Sequence, residues 1–222
     1  MKHVPREFID WAYFGRVRYL KEILNEELKH SELLLEAMRH TAVLATARII
    51  GQGEIFVNAK IVGVGFIPKE EYINETISAL KKHIERYSSL NAEDYMRKGV
   101  ELLLRTLYFE DENEAFKRID FSKLATLEIA STIPHSSKHT WTNIKYNKRA
   151  CLLFYQPPII SFELHGTLSI HVNDEYAELV NLIHDVAHKP RGGTTRRPAL
   201  IFTIEEMYDN SATPRGYGRK ML

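Results

Sequence analysis

The residues best suited to bind a ligand form a short cationic turn in the second half of the chain. Ser136, Ser137 and Lys138 lead into a segment with helical character. The first N–H groups of a helix have no partner inside it, and the helix dipole places partial positive charge there. The turn therefore predicts a site for an anion such as a phosphate group. A plain N-capped helix on a solvated turn is the alternative that the turn alone leaves open.

Strand patterns on both sides of this turn carry a family resemblance. After the turn the chain reads Asn-Lys-Arg-Ala at 147–150 and Ala-Cys-Leu-Leu-Phe-Tyr at 150–155, and residues 161–166 alternate and close on a glycine. Upstream, residues 43–47 read Val-Leu-Ala-Thr-Ala. Together with the turn at 136–138, these segments resemble the FMN-binding split-barrel family, and within it the pyridoxamine 5′-phosphate oxidases.

The resemblance covers only part of the chain. It is good over residues 123–170, weak over 41–65 and absent elsewhere. Ser137 stands where the family has a phosphate-binding arginine, and Ser161 stands where it has a glutamine that contacts the flavin. Residues 68–122 form an insertion where the family has a short connection.

The resemblance implies an FMN site with contributions from two strands and a helix. Lys138 and the backbone of 136–138 are expected to hold the phosphate, with Asn58 and Lys60 reaching across from the second strand. The predicted cofactor-binding residues are Asn58, Lys60, Ser136, Ser137, Lys138, His139, Thr140 and Asn143. The family also implies a homodimer with the cofactor at the subunit interface. The expected chemistry is electron or hydride transfer to or from a small organic substrate, and no catalytic residue is assigned.

The remaining patterns predict an α+β protein. Residues 1–40 are expected to form an N-terminal helical segment, with Ser31 capping a second run, and 41–222 a barrel domain with a helical insertion at about 68–122. Alternation and β-branched residues predict a six-stranded antiparallel split β-barrel. The predicted strands cover residues 41–50, 54–66, 124–130, 150–155, 160–170 and 199–205. Apolar stripes at helical spacing predict a helical hairpin within the insertion, with Asn91 as a capping residue.

Two other functions compete with a flavin enzyme. Because Ser137 replaces an arginine, the barrel is also consistent with a non-catalytic module that binds flavin, haem or another planar ligand. His184 and His188 are four residues apart on a predicted helix and thus on one face, so a metal-dependent hydrolase is a further hypothesis. Asp185 stands where such enzymes carry a glutamate base. The arginine-rich loop at 189–198 is interpreted either as a contact for a substrate phosphate or as a solvated loop.

Composition excludes several classes of protein. The 222 residues are 44% hydrophobic and 27% charged, with a formal net charge of +1, so no global field attracts nucleic acid or a membrane surface. No apolar run reaches the roughly 20 residues that span a bilayer. The single cysteine, Cys151, lies in an apolar strand and is interpreted as structural, which suits a reducing cytoplasm. Hydrolase-elbow, Walker and dinucleotide-binding motifs are absent, and no metal ligands are assigned to the flavin site.

Overall fold

A computed structural model describes residues 3–25, 35–190 and 193–222. Its central feature is an antiparallel sheet of eight strands in the order β2-β1-β5-β6-β7-β4-β3, with β8 paired to β7. The strands are β1 (Thr41–Ile50), β2 (Glu54–Gly63), β3 (Gly65–Pro68), β4 (Ile119–Leu127), β5 (Arg149–Gln156), β6 (Ile160–His171), β7 (Ala199–Asp209) and β8 (Arg219–Lys220). The protein is thus a mixed α+β structure, as predicted.

Helices precede, interrupt and follow the strands. A helical segment at the N-terminus consists of α1, a π-helical turn at Asp10–Phe14 and α2. The helices are α1 (Arg6–Ile9), α2 (Gly15–Asn25), α3 (Glu70–Tyr87), α4 (Ala92–Thr106), α5 (Glu112–Arg118), α6 (His139–Tyr146) and α7 (Glu175–Ala187). The predicted cap at Ser31 lies outside the described residues. No helix in the described part of the chain is long and apolar enough to cross a membrane.

The strand count differs from the predicted six, and the cause is a bend in the second predicted strand. The chain passes from β2 to β3 at Val64, whose N–H donates to the carbonyl of His40 (2.8 Å). Before this bend the strand pairs with β1, and after it with β4. Because β2 and β3 stand at opposite ends of the strand order, this continuous stretch closes the sheet on itself. The two-residue β8 is the other addition.

The hairpin β1–β2 has two chemically different faces. Thr46 pairs with Asn58 and Leu44 with Lys60, and cross-strand partners share a face. In β1 the even-numbered residues 42–46 are buried, so the face that carries them points inward. We call the even-numbered side of β1 and β2 the inward face and the odd-numbered side the outward face. The inward face carries all the predicted site residues of β2.

The N-terminal segment packs into the core of the sheet. The ring of Phe8 lies edge-on to Phe154 and Phe162, with centroids 5.6 and 5.4 Å apart. Trp11 contacts the same two rings and donates its indole N–H to Gln156 Oε1 at 2.8 Å. Aromatic rings bury large apolar areas, so these contacts tie the segment to β5 and β6. The division into residues 1–40 and 41–222 stays a prediction.

The insertion forms the predicted helical hairpin and packs on α7 of the same chain. Asn91 caps α4, since its side chain accepts a hydrogen bond from the Asp94 amide at 2.9 Å. Tyr95 donates its hydroxyl to the carbonyl of Asp185 at 3.0 Å. A Cβ on Gly99 would lie 2.1 Å from the carbonyl oxygen of Val186, so only glycine allows α4 to approach α7 this closely. The hairpin is therefore anchored on α7 through α4.

Candidate cofactor site

Helix α6 is held on the inward face of β1 by two asparagines. Asn143 is fully buried, and its Nδ2 donates to the carbonyl and the hydroxyl of Thr46 at 3.2 and 3.1 Å. Its Oδ1 is buried and has no partner within the described residues. Asn147, which ends the helix, donates Nδ2 to the carbonyl of Ala47 at 3.0 Å. These bonds fix where the first turn of α6 lies relative to β2.

The predicted residues of β2 make contacts within the chain. Asn58 donates Nδ2 to the hydroxyl oxygen of Thr140 at 2.7 Å, which links β2 to the first turn of α6. Lys60 pairs with Glu128 at 2.7 Å, and the Glu128 side chain is fully buried. The second oxygen of Glu128 accepts the amide of Ala130 at 3.0 Å. The charge of Lys60 is thereby neutralised inside the protein.

The turn before α6 is open to solvent. The hydroxyl of Ser136 donates to the carbonyl of Ala130 at 2.7 Å, which closes the turn. Ser137, Lys138 and His139 are exposed. Lys138 forms no ion pair or hydrogen bond through its side chain with any described residue, and the amides of 137–139 form no backbone hydrogen bond in this part of the chain. A cation and several N–H donors therefore face water together.

An arginine that sequence reasoning missed, Arg48, is connected to the first residue of α6 through an aromatic ring. The Arg48 guanidinium stacks on Phe56 (5.5 Å to the ring centroid) and Tyr146 (5.9 Å). Phe56 in turn contacts the His139 ring, with centroids 5.2 Å apart. Arg48 Nε is buried without a partner, and Arg48 pairs with no carboxylate among the described residues. The turn predicted at Gly51 could have identified Arg48, because a hairpin that turns there places Arg48 opposite Phe56.

The outward face of the hairpin is apolar and uncovered. Ile49, Ile55, Val57 and Ile61 have between 64% and 74% of their surface exposed. Contiguous apolar surface of this kind marks an interaction site more often than a free surface. An open groove beside it is lined by Ala47, Arg48, Ile49, Ile55, Tyr146 and Asn147.

These residues meet the requirements of a flavin phosphate in part. Lys138, the amides of 137–139 and Arg48 offer uncompensated positive charge and donors, and the exposed Tyr146 and Ile55 offer apolar surface for a planar ring. Asn58 and Thr140 bond to each other, and each keeps a further donor or acceptor. Asn143 acts as a tether for α6 in the geometry described. The phosphate end of the site is the better match.

No third ligand for the histidine pair at the end of α7, His184 and His188, lies in the described part of the chain. The rings of His184 and His188 lie 5.1 Å apart, but no other cysteine, histidine or carboxylate of the described residues joins them in a cluster. Asp185 is fully buried and accepts the amide of Thr195 at 2.6 Å, which ties it to the following loop. Burial, together with the nearby His184, lowers the pKa of His188. Asp185 is thus engaged in structure rather than facing a metal-bound water.

The arginine-rich loop is tied to the same helix where it is described. Asn181 donates Nδ2 to the carbonyl of Arg197 at 2.8 Å, and the Arg197 amide donates to Asn181 Oδ1 at 3.0 Å. Arg191 lies outside the described residues.

Cys151 is half-buried, and burial, with the charge of Glu163, raises its pKa to about 11. Its thiol is therefore protonated at neutral pH, which agrees with the prediction that it is not a nucleophile.

Comparison with known proteins finds likeness at the level of structure alone. The chain matches no protein-family profile and no curated protein sequence. It is similar to the structure of HupZ from Group A Streptococcus, with 11% identity, 88% of this chain and 100% of that chain covered, and a TM-score of 0.40. General Stress Protein 26 from Bacillus anthracis gives 10% identity, 93% and 98% coverage, and a TM-score of 0.39.

A third structure comes from Clostridium acetobutylicum, a protein related to general stress protein 26 of the pyridoxinephosphate oxidase family. It shares 13% identity over 87% of this chain and 90% of that chain, with a TM-score of 0.37. At these identities and TM-scores the likeness is limited to the general arrangement of strands and helices.

Proposed function

We propose that this protein binds FMN where the first turn of α6 meets β2, and that it acts as a flavin-dependent oxidoreductase on a small organic substrate. The observation that carries the proposal is the exposed turn at 137–139, whose amides and Lys138 ammonium have no partner in the described part of the chain. An uncompensated cation beside free N–H groups at a helix start is suited to a phosphate.

The phosphate contacts come from groups that carry positive charge or donate hydrogen bonds. Lys138 supplies a charge-assisted hydrogen bond, which is stronger than a neutral one. Arg48 adds a second positive charge, held in place by Phe56 and Tyr146. Asn58 and Thr140 orient the ribityl chain from the inward side. When bound, FMN supplies the electron or hydride transfer itself, and the protein supplies binding and orientation.

The outward face supports a homodimer. Its exposed isoleucines and valine carry no charge, and a twofold interface brings the same patch of each copy together. A second copy would cover this surface and close the groove beside Arg48 and Tyr146. The groove lies at the edge of the outward face, so the partner subunit would shield a ring bound there from water.

The first experiment is a visible absorption spectrum of the purified protein, before and after excess FMN is added and removed by desalting. We expect a retained flavin band near one equivalent per chain. A spectrum that stays empty after loading would overturn the flavin proposal and leave the fold unaffected.

Two lysines, Lys138 directly before the first residue of α6 and Lys145 near its end, test where the phosphate binds. Lys138→Ala should weaken FMN binding by about 1.5–3 kcal/mol, the contribution of a hydrogen bond to a charged group. Lys145→Ala is the matched control, because Lys145 lies on the same helix and stacks on Trp141 at 4.8 Å. Affinity is measured from quenching of flavin fluorescence. Equal effects of the two variants would remove Lys138 from the site.

A second candidate is a binding module without redox turnover. The ion pair between Lys60 and Glu128 favours it, because it withdraws one of the predicted phosphate cations. This candidate predicts weak FMN binding that improves in Glu128→Gln, where Lys60 is released. It also predicts that bound flavin is not reduced by small organic donors in stopped-flow measurements.

A further inference from the structure

Three different metal-ligand types meet on one face of the neighbouring strands β5 and β6. Cys151 on β5 is the register partner of His165 on β6, and Glu163 precedes His165 by two residues. Residues two apart on a strand share a face. The ligand atoms of Cys151, Glu163 and His165 all lie within 4.8 Å of one another, and all three residues are partly accessible.

The spacing of these atoms suits a transition metal. Zinc binds sulfur, nitrogen and oxygen donors at about 2.0–2.3 Å, which brings three donors to within about 4 Å of each other. Small side-chain rotations close the remaining gap, because the three side chains project from adjacent, directly paired strands. A thiol, an imidazole and a carboxylate together favour zinc or a similar borderline metal over magnesium or calcium.

The carboxylate is already oriented towards the histidine. Glu163 Oε2 accepts a hydrogen bond from Asn210 Nδ2 at 2.6 Å, while Oε1 lies 2.5 Å from His165 Nε2. The ring of Tyr208 packs edge-on against the His165 ring at 5.8 Å. Such outer contacts orient the ligands in known metal sites. A metal ion would take the place of the proton between Oε1 and Nε2.

Among the described residues, Glu163 has no permanently charged partner, because its carboxylate forms hydrogen bonds only with His165 and Asn210. A β-bulge between β6 and β7 follows His165, and two successive glutamates of β7 lie beside the cluster. Of these, Glu205 pairs with Arg149 and Glu206 with Lys220. Glu163 pairs with no lysine or arginine in the described ranges, so a cation has one carboxylate left to neutralise.

We propose that Cys151 Sγ, Glu163 Oε1 and His165 Nε2 bind one divalent transition metal, with Zn²⁺ as the representative ion. Three protein ligands leave one tetrahedral position for water or an external donor, as in catalytic rather than structural zinc sites. Coordination deprotonates the Cys151 thiol, whose proton passes to the solvent, and no redox step is involved. This site is independent of flavin binding.

The test is a titration of the untagged, full-length protein with Co²⁺, followed by displacement with Zn²⁺. We expect one equivalent of Co²⁺ to produce visible d–d bands and a thiolate-to-cobalt charge-transfer band. Zn²⁺ should abolish these bands and raise the melting temperature, because a ligand that binds only the folded state stabilises it. Absence of the charge-transfer band at saturation would overturn the proposal.

Variants locate the ion. Cys151→Ala should lose the charge-transfer band, and Glu163→Gln should weaken binding while it keeps a side chain that can bond to Asn210. Asn210→Ala removes only the orienting contact and should weaken Zn²⁺ binding about tenfold, the low end of outer-shell effects. Circular dichroism confirms that each variant is folded.

The histidine pair of α7 is the matched control. The double variant His184→Gln, His188→Gln should keep wild-type Co²⁺ spectra and affinity. Loss of binding in this variant, with retention in Cys151→Ala, would place the metal on α7 and overturn the proposal. Wild-type Co²⁺ affinity in both Cys151→Ala and the double variant would also overturn the proposal.

Discussion

The two faces of β2 belong to one ten-residue strand, yet one face contacts the rest of the molecule and the other is exposed to solvent. Beyond the exposed Glu54 at its start, the inward residues have partners within the chain or are buried: Phe56, Asn58, Lys60 and Val62. The outward residues are apolar and exposed: Ile55, Val57, Ala59 and Ile61. The inward face is explained by the fold of one chain, whereas the outward face is the surface that we propose a second copy covers.

This difference changes how polar residues on a strand should be interpreted. Asn58 and Lys60 alternate with apolar residues, and a polar residue on a half-buried strand usually faces water. Here the apolar residues face water and the polar ones face inward, towards Thr140 and Glu128. The usual interpretation of the alternation is therefore inverted on β2. Three of the four predictions below test this inversion, and the other tests the bend that ends the strand.

The largest effect is expected at the inward ion pair. Lys60→Met leaves the buried carboxylate of Glu128 without its cation, and the free energy of unfolding should fall by about 3 kcal/mol. Urea denaturation measures it. Lys138→Met is the control. Lys138 is exposed and has no partner among the described residues, so its replacement should change stability by less than about 0.5 kcal/mol. Similar losses in both variants would contradict a special role for the inward face.

A charged residue introduced on the outward face should weaken assembly of the proposed dimer. Ile61→Lys places two ammonium groups in a twofold interface, and we expect the dimer dissociation constant to rise at least about tenfold, or about 1.4 kcal/mol. Analytical ultracentrifugation reports the change. Val172→Lys, at an exposed apolar residue outside the outward face, should leave assembly unaltered. A wild-type protein that is monomeric at all accessible concentrations would disprove the interface.

We expect the free energy of unfolding to depend on pH through His40, whose carbonyl accepts a hydrogen bond at the bend between β2 and β3. The carbonyl of His40 accepts the Val64 amide there, and burial, together with Arg16 and His188, lowers the pKa of His40 from 6.5 to about 3. Below pH 6.5 the unfolded chain binds a proton at His40 that the folded chain does not. The free energy of unfolding should therefore fall as the pH drops from 6.5 towards 3, by at most about 1.4 kcal/mol per pH unit from this group.

The variant His40→Gln isolates this contribution. It should flatten the pH dependence of urea denaturation over that window, whereas His3→Gln, at an exposed histidine, should leave the slope unaltered. An unchanged slope in His40→Gln would show that the depressed pKa has no consequence for folding.

The smallest effect is expected for the contact between β2 and α6. Asn58→Ala removes the hydrogen bond to Thr140, and we expect a loss of about 1 kcal/mol. Val57→Ala, one residue away on the outward face, should cost less than about 0.5 kcal/mol when measured on the monomer. Thermal unfolding of both variants in the Ile61→Lys background makes the comparison. A larger loss from Val57→Ala would mean that the two faces are wrongly assigned.

Local patterns predicted many elements because local physics determines them. The alternation over 160–170 corresponds to the observed strand Ile160–His171, and the cap at Asn91 begins a helix one residue later. The strand predicted at 124–130 is observed at Ile119–Leu127. Its first residues were missed, because their strand character depends on pairing with β3.

In the candidate site, too, the sequence predicted local features but not the contacts between distant segments. The turn at 136–138 was recognisable from its composition and from a family resemblance. The pairing of Lys60 with Glu128, which are 68 residues apart, was not, and Arg48 carried no signal beyond the hairpin that positions it. The cluster of Cys151, Glu163 and His165 likewise needs the register of two strands, and a shift of one residue would place the cysteine and the histidine on opposite faces.

By itself, the sequence determined the α+β class, most strands and helices, the cap at Asn91 and the position of the cationic turn, because each depends on neighbours along the chain. Tertiary structure alone decided which face of β2 is inward, that Lys60 is neutralised by Glu128, and which histidine lies beside Cys151. These are pairings between distant segments, which the register of the closed sheet and the docking of α6 bring together. The alternating pattern of β2 alone is compatible with either face of the strand being inward, and only those contacts decide between the two.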